Sequence, residues 1–122
     1  MSLLKKILTQ PGDKKNPRIQ EALQIGHQTY KTGRIADSEQ LYLEALDLSR
    51  KLRSHADTVE SLFCLAAVHA QHDPPKAFHD LIQCEQTARS HLRDEDLSRV
   101  LNDIAEALTN LGHAEEAKAK YS

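Results

Sequence analysis

Seven histidines and two cysteines are the residues of this 122-residue chain best equipped to bind metal or attack a substrate. His69 and His72 stand three apart and share a helix face, with Asp73 and His79 close by in sequence. Two imidazoles and a carboxylate can hold zinc. His72, however, falls at a predicted helix end, where a cation is favoured by the helix dipole. The two cysteines, Cys64 and Cys84, show no metal or redox spacing. Both lie among apolar helical residues, where a free thiol behaves as a small hydrophobe. A nucleophilic cysteine would need a positioned base. His27 is the candidate partner for Cys64, but a partly exposed thiol lining a binding surface is the stronger reading. No glycine-rich phosphate loop, nucleophile elbow or metalloprotease helix is present. The chemistry-bearing residues therefore predict no enzyme, no cofactor and no metal site.

The elements that carry these residues are helices. Gly and Pro fall almost wholly at predicted helix ends, and no alternating apolar run suggests a strand. Residues 2–9 carry Leu3, Leu4, Ile7 and Leu8 as a short amphipathic stretch, broken by Gln10-Pro11-Gly12-Asp13. Asn16-Pro17 opens a helix that reaches Thr32 and stops at Gly33. A second runs from about Ile35 to Leu52 and a third from about Ala56 to His72. Asp73 caps a fourth, with Pro74-Pro75 in its first turn, and it reaches about Leu92. Asp94-Glu95-Asp96 begins a fifth, whose apolar face is Val100, Leu101, Ile104, Ala105 and Leu108. Gly112 is expected to end it, and a short sixth helix to run from Ala114 to Ser122.

One pattern recurs: a small residue deep in a helix, a turn, then a second helix with small residues inside. It reads Gly26, Gly33, Ser38 and Ala45, then Ala66, Asp73-Pro74, Ala77 and Cys84, then Ala105, Gly112, Ala117 and Tyr121. The anchors Gly26, Ala66 and Ala105 are spaced by 40 and 39 residues (66−26, 105−66). A period in this range signals a helical solenoid, which presents an extended surface for binding. Small anchors let paired helix axes approach closely.

Net charge is −2, unevenly spread. Residues 1–18 carry Lys5, Lys6, Lys14, Lys15 and Arg18 against Asp13, or +4, leaving −6 for the rest. An acidic body argues against a nucleic-acid surface. The basic segment, residues 1–16, reads first as a solvated tail. The longest charge-free apolar stretch, Leu62–Ala70, is far below the roughly 20 residues needed to span a bilayer. Reduced thiols fit a cytoplasmic protein.

The three repeats resemble the tetratricopeptide repeat, in a long-helix variety. Repeat one shows Gly26, Tyr30, Gly33, Ser38, Tyr42 and Ala45. Repeat three shows Ala105, Leu108, Gly112, Ala117 and Tyr121. Repeat two keeps Ala66 and Ala77, but His72-Asp73-Pro74-Pro75 replaces the glycine turn, and His69 takes a packing position. The resemblance implies an all-α, right-handed superhelical solenoid of three antiparallel helix pairs over residues 17–122, with repeats at about 17–54, 55–93 and 94–122. The last of these is incomplete.

The family's binding groove is lined by the first helix of each pair. Carried over, it holds Gln20, Gln24, His27, Tyr30 and Lys31, then Glu60, Phe63, Cys64, Ala67 and Gln71, then Arg99, Asn102, Asp103, Glu106 and Asn110. Members that bind chaperones hold a peptide carboxylate with a clamp of Lys, Asn and Arg. The matching places here carry Leu23, His27, Cys64, Arg99 and Asp103, and Asp103 would repel a carboxylate. That clamp is excluded. The resemblance implies a scaffold binding a protein or peptide ligand, with no nucleic acid and no membrane insertion. The uncapped third repeat offers the alternative of a self-associating module, a homodimer through the C-terminal repeat, or a piece of a larger signalling protein.

Overall fold

The computed structural model describes the backbone of residues 15–121 and the side chains of residues 15–113. The described elements are helices: α1 (Pro17–Lys31), α2 (Ile35–Lys51), α3 (His55–His69), α4 (Pro74–His91) and α5 (Asp94–Tyr121). The amphipathic stretch at residues 2–9 lies outside the described residues, as do the side chains of Ala117 and Tyr121.

Local chemistry sets these boundaries. The Asn16 side chain accepts a hydrogen bond from the amide of Arg18 at 2.9 Å, and Asp73 accepts from Lys76 at 3.3 Å. In both helices proline follows the cap, where its missing donor costs little. Helix α1 ends in a left-handed turn at Gly33 (φ 84°), with the amide of Arg34 bonded back to the Thr29 carbonyl. Helix α2 ends the same way, with Ser54 bonded back to Ser49, but the left-handed residue is Arg53 (φ 55°). A side chain there is strained by about 1–2 kcal/mol. After the entropy cost of glycine, Arg53→Gly is expected to stabilise the fold by roughly 0.5–1 kcal/mol. Thermal melting should show a rise of about 2–4 °C.

Helices joined by such short turns pack antiparallel on their chain neighbours. Each buries one stripe: Ile19 and Leu23 from α1, Tyr42 and Ala45 from α2, Leu81, Cys84 and Ala88 from α4. Helix α3 is central and buries Val59, Leu62, Leu65, Ala66 and Val68. Gly26 is buried where α1 meets α2, and a Cβ there would stand 2.6 Å from the ring of Tyr42. The small-residue anchors of the first two repeats, Ser38, Ala45, Ala66, Ala77 and Cys84, are all buried.

Two buried polar centres tie the helices together. Asp57, with no exposed surface, accepts from the Asn16 amide (2.6 Å), the Gln20 amide group (2.7 Å) and the Ser54 hydroxyl (2.5 Å). It thereby joins the start of α1 to the start of α3. His69, 2% exposed, sets Nδ1 against Asp80 of α4 at 2.5 Å and turns Nε2 toward Glu39 of α2 at 3.6 Å. This imidazole therefore links α3 to α4 through Nδ1, while buried Nε2 makes no hydrogen bond among the described residues.

The third repeat departs from expectation. Helix α5 runs without a turn through Gly112 to Tyr121, so the sixth helix does not form and the third pair is not made. Ala105, expected to be buried between paired helices, is exposed, because no second helix folds onto it. The inward face of α5 is instead Leu97, Val100, Ile104, Ala107 and Leu108, packed on the core. Of these, Ile104 is the one fully buried, at 2% exposure. Gly112 is exposed, and a Cβ there meets nothing within 4 Å. Gly112→Ala is thus expected to stabilise by about 1 kcal/mol through helix propensity. A loss of melting temperature would instead place a left-handed turn at this glycine.

Candidate functional site

Helices α1 and α3 lie side by side. Asn16 meets Asp57, Gln20 meets Glu60 and Tyr30 meets Gln71, at sequence separations of 41, 40 and 41 residues. These matched offsets make α1 and α3 parallel and in register at the period seen in the sequence. Between α3 and α5 lies a cleft of about 530 Å³. Ala56, Val59, Phe63, Leu92 and Val100 give its apolar lining, and Lys15, Glu60, Asp96, Arg99 and Asp103 its charged groups.

Of the residues the sequence placed on this face, the cleft gathers Glu60, Phe63, Cys64, Arg99 and Asp103. Asn110 lines a neighbouring apolar cavity of about 220 Å³, together with Phe63, Ala66, Ala67 and Leu111. His27 and Tyr30 line a third hollow of about 200 Å³ between α1, α2 and α3. There His27 Nδ1 pairs with the Tyr42 hydroxyl at 2.7 Å, so the imidazole is engaged with α2 rather than with the Cys64 thiol. The Tyr30 hydroxyl accepts from Gln71 across the α1–α3 seam, and both side chains serve that seam. Gln24, Lys31, Asn102 and Glu106 are exposed and stand apart from these three cavities.

The sequence reading missed Lys15, Val59, Leu92, Asp96 and Val100. Val59 and Val100 read as core because their helical spacing matches the apolar stripes. That reading holds, with Val59 5% exposed and Val100 packed against the core, and what surface each keeps lines the cleft. Lys15 read as tail, yet its ammonium reaches Glu60 at 2.9 Å. The signal for it was Asn16-Pro17, because a capped helix start fixes the preceding residue near its neighbours.

Charge in the cleft is only partly compensated. Lys15 pairs with Glu60, and Arg99 pairs with Asp96 at 3.2 Å. Asp103 has no ion-pair partner among the described residues. Burial alone would raise the Glu60 pKa, but hydrogen bonds from Lys15 and Gln20, with the Lys15 charge, hold it below its usual value of 4.5. The Cys64 thiol goes the other way. Burial, then the charge of Glu60, pushes it up to about 12, and burial pushes Cys84 to about 12 as well. A thiol so held is protonated at neutral pH and is a poor nucleophile.

These shifts bound a stability plateau. A depressed Glu60 contributes stability that is complete above about pH 4.5 and is lost as pH falls through its folded value. The raised thiols act at the alkaline end, together with Tyr42, which burial pushes to about 12. In the unfolded chain the thiols ionise near 9.0 and the phenol near 10.0, so stability falls as pH rises through that range. Melting temperature against pH is expected to show both limbs, and Glu60→Gln to soften the acid one. An acid limb unchanged by Glu60→Gln would remove Glu60 from the account.

Among the described residues no three His, Cys, Asp or Glu side chains converge as a metal site. His72 is exposed at the end of α3, its ring 6.2 Å from that of His69. No described helix is long and apolar enough to cross a membrane. Neither protein-family models, nor curated proteins, nor solved structures gave a match to the chain.

Proposed function

We propose that this chain is a peptide- or protein-binding scaffold of the tetratricopeptide type, built as a superhelical stack of helix pairs. Its face of α1, α3 and α5 takes a segment bearing apolar and basic side chains. The observation that carries this reading is the α3–α5 cleft, apolar at Val59, Phe63 and Val100 and edged by Glu60, Asp96 and Asp103. Apolar floors give affinity, and an uncompensated carboxylate such as Asp103 selects a basic ligand and speeds its arrival. The protonated thiols and the engaged His27 support binding over catalysis. The setting we propose is cytoplasmic, with no cofactor.

The test is affinity capture followed by quantitative mass spectrometry, comparing the unaltered chain with Tyr30→Ala/Phe63→Ala/Asp103→Lys. Proteins of the scaffold's own set should drop out of the variant sample. A partner retained at full yield would move the binding site off this face.

A second reading has its own observation. Pro74, Pro75, Phe78, Leu108, Leu111 and Gly112 line an apolar hollow of about 360 Å³ at the α4–α5 end, and Phe78 is 51% exposed. Exposed apolar patches mark interaction surfaces. A homodimer through this end would melt at a temperature that falls on dilution, because oligomer stability depends on concentration. A melting temperature independent of concentration, with a monomer mass in light scattering, would discard it.

A further inference from the structure

We propose that the apolar cavity beside the cleft is the anchor subsite of this face. It takes the ring of a tryptophan from a partner segment whose next cation reaches Asp103. The inference rests on the binding role proposed for the face of α1, α3 and α5 and names the chemistry of the ligand it takes.

Size and access come first. The cavity lies between α3, α4 and α5 and continues the cleft past Phe63, which lines both. Its volume is about 220 Å³. An apolar cavity of roughly 150 Å³ holds benzene, so this one admits more than a single six-membered ring. Alanines leave the space open, with Ala67 of α3 and Ala107 of α5 facing it from two sides. The mouth is accessible. Ala67 and Asn110 are exposed, and Phe63, Ala107 and Leu111 keep part of their surface.

Polarity comes second. Asn110 is the single polar side chain of the lining. Its amide carbonyl can accept one hydrogen bond at the edge of an otherwise apolar hollow. Tryptophan brings a large apolar body with one ring N–H, a donor only. A phenyl or phenol ring would leave part of the volume empty.

Spacing comes third. Asp103 lines the neighbouring cleft, with no ion-pair partner among the described residues. From Asp103 to the middle of the Ala107–Leu111 stretch is six residues of α5, about 9 Å at the helical rise. A polyproline II segment rises about 3.1 Å per residue with three residues per turn, so positions i and i+3 share a face about 9 Å apart. The ligand is therefore tryptophan, two spacers, then lysine or arginine, in extended form. The ring supplies the buried anchor, and the cation sets orientation.

Indole is the first probe, titrated into the full 122-residue chain and followed by the amide resonances in NMR. The amides of Ala67, Ala107 and Asn110 are expected to shift saturably at roughly millimolar indole. Ala107→Leu and, separately, Ala67→Leu place a larger side chain in the hollow. Each should melt as a folded protein and weaken indole at least about ten-fold, because the filled space no longer admits the ring. Ala105→Leu, on the exposed side of the same helix, is the control and should leave indole binding unchanged. N-methylindole should bind about five-fold more weakly, the worth of one hydrogen bond, and Asn110→Leu should erase that difference. Unmoved amides would overturn the inference. So would indole bound equally by the unaltered chain, Ala67→Leu and Ala107→Leu.

A second arm compares the peptide acetyl-Trp-Pro-Pro-Lys-amide with the same peptide ending in Glu. The lysine peptide should bind about ten-fold tighter at low salt, and Asp103→Asn should remove that preference. Equal affinities for the two peptides would overturn the pairing of ring and cation. The anchor and the scaffold reading fail separately. Indole seated in the cavity while captured partners are indifferent to Phe63 and Asp103 leaves the anchor standing and removes the scaffold role. Partners lost with Phe63 and Asp103 while indole moves no amide do the reverse.

Discussion

Gly26→Leu is expected to lower the unfolding free energy by about 3 kcal/mol and the melting temperature by about 10 °C. Helix α1 lies so close to α2 that even a Cβ at this position would stand 2.6 Å from Tyr42 Cε1 and 3.0 Å from Cδ1. Tyr42 cannot swing aside cheaply. It is 3% exposed and its hydroxyl holds His27. Alanine gains about 1 kcal/mol over glycine in a helix interior, so Gly26→Ala measures the clash alone against a known credit. Its net effect should still be destabilising, by about 1–2 kcal/mol. The contrast with Gly112 is the control, since the same change there meets open space. If Gly26→Ala and Gly112→Ala both raise the melting temperature, α1 and α2 do not approach as described.

Asp57→Ala is expected to cost about 3 kcal/mol, the second large effect. One carboxylate satisfies the amide of Asn16, the side-chain amide of Gln20 and the hydroxyl of Ser54, all at its own zero exposure. Removing it takes one acceptor from each of these donors, at about 1–3 kcal/mol per buried group left unsatisfied. Asp57→Asn keeps the shape but presents an NH₂ where an acceptor is needed, so it should rescue little. Gln20→Ala should cost about 1 kcal/mol, because Asp57 keeps its other two donors. Denaturant unfolding of the three variants decides the matter. Near-neutral Asp57→Ala would mean that the α1–α3 junction is held by apolar packing alone. Because Asn16 is the residue that carries Lys15 to the cleft, the same variant should also loosen the Lys15–Glu60 pair.

What was legible in the sequence is the local and periodic part of the structure. Asn16-Pro17, Gly33, Asp73-Pro74 and the acidic run from Asp94 mark helix starts and stops, because caps, prolines and left-handed turns act within a few residues. The boundaries of α1 to α4 and the start of α5 accordingly fall within a few residues of those expected. The 40-residue period was legible for the same reason, and the structure repeats it in the hydrogen-bonded offsets between α1 and α3. The small anchors were right where a second helix exists to approach them, at Gly26 and Ala66.

Only the tertiary structure decided the third repeat and the cleft. Gly112 carries the sign of a turn, but a turn stops a helix only if the chain beyond it gains by packing back. Here α5 continues instead, and Ala105 is left facing outward. That the surface left to Val59 and Val100 lines a cleft depends on how two helices remote in sequence lie, which no local pattern encodes. Likewise Lys15 became part of the candidate site through Asp57, 41 residues beyond Asn16, because a buried carboxylate must collect donors from wherever the fold supplies them.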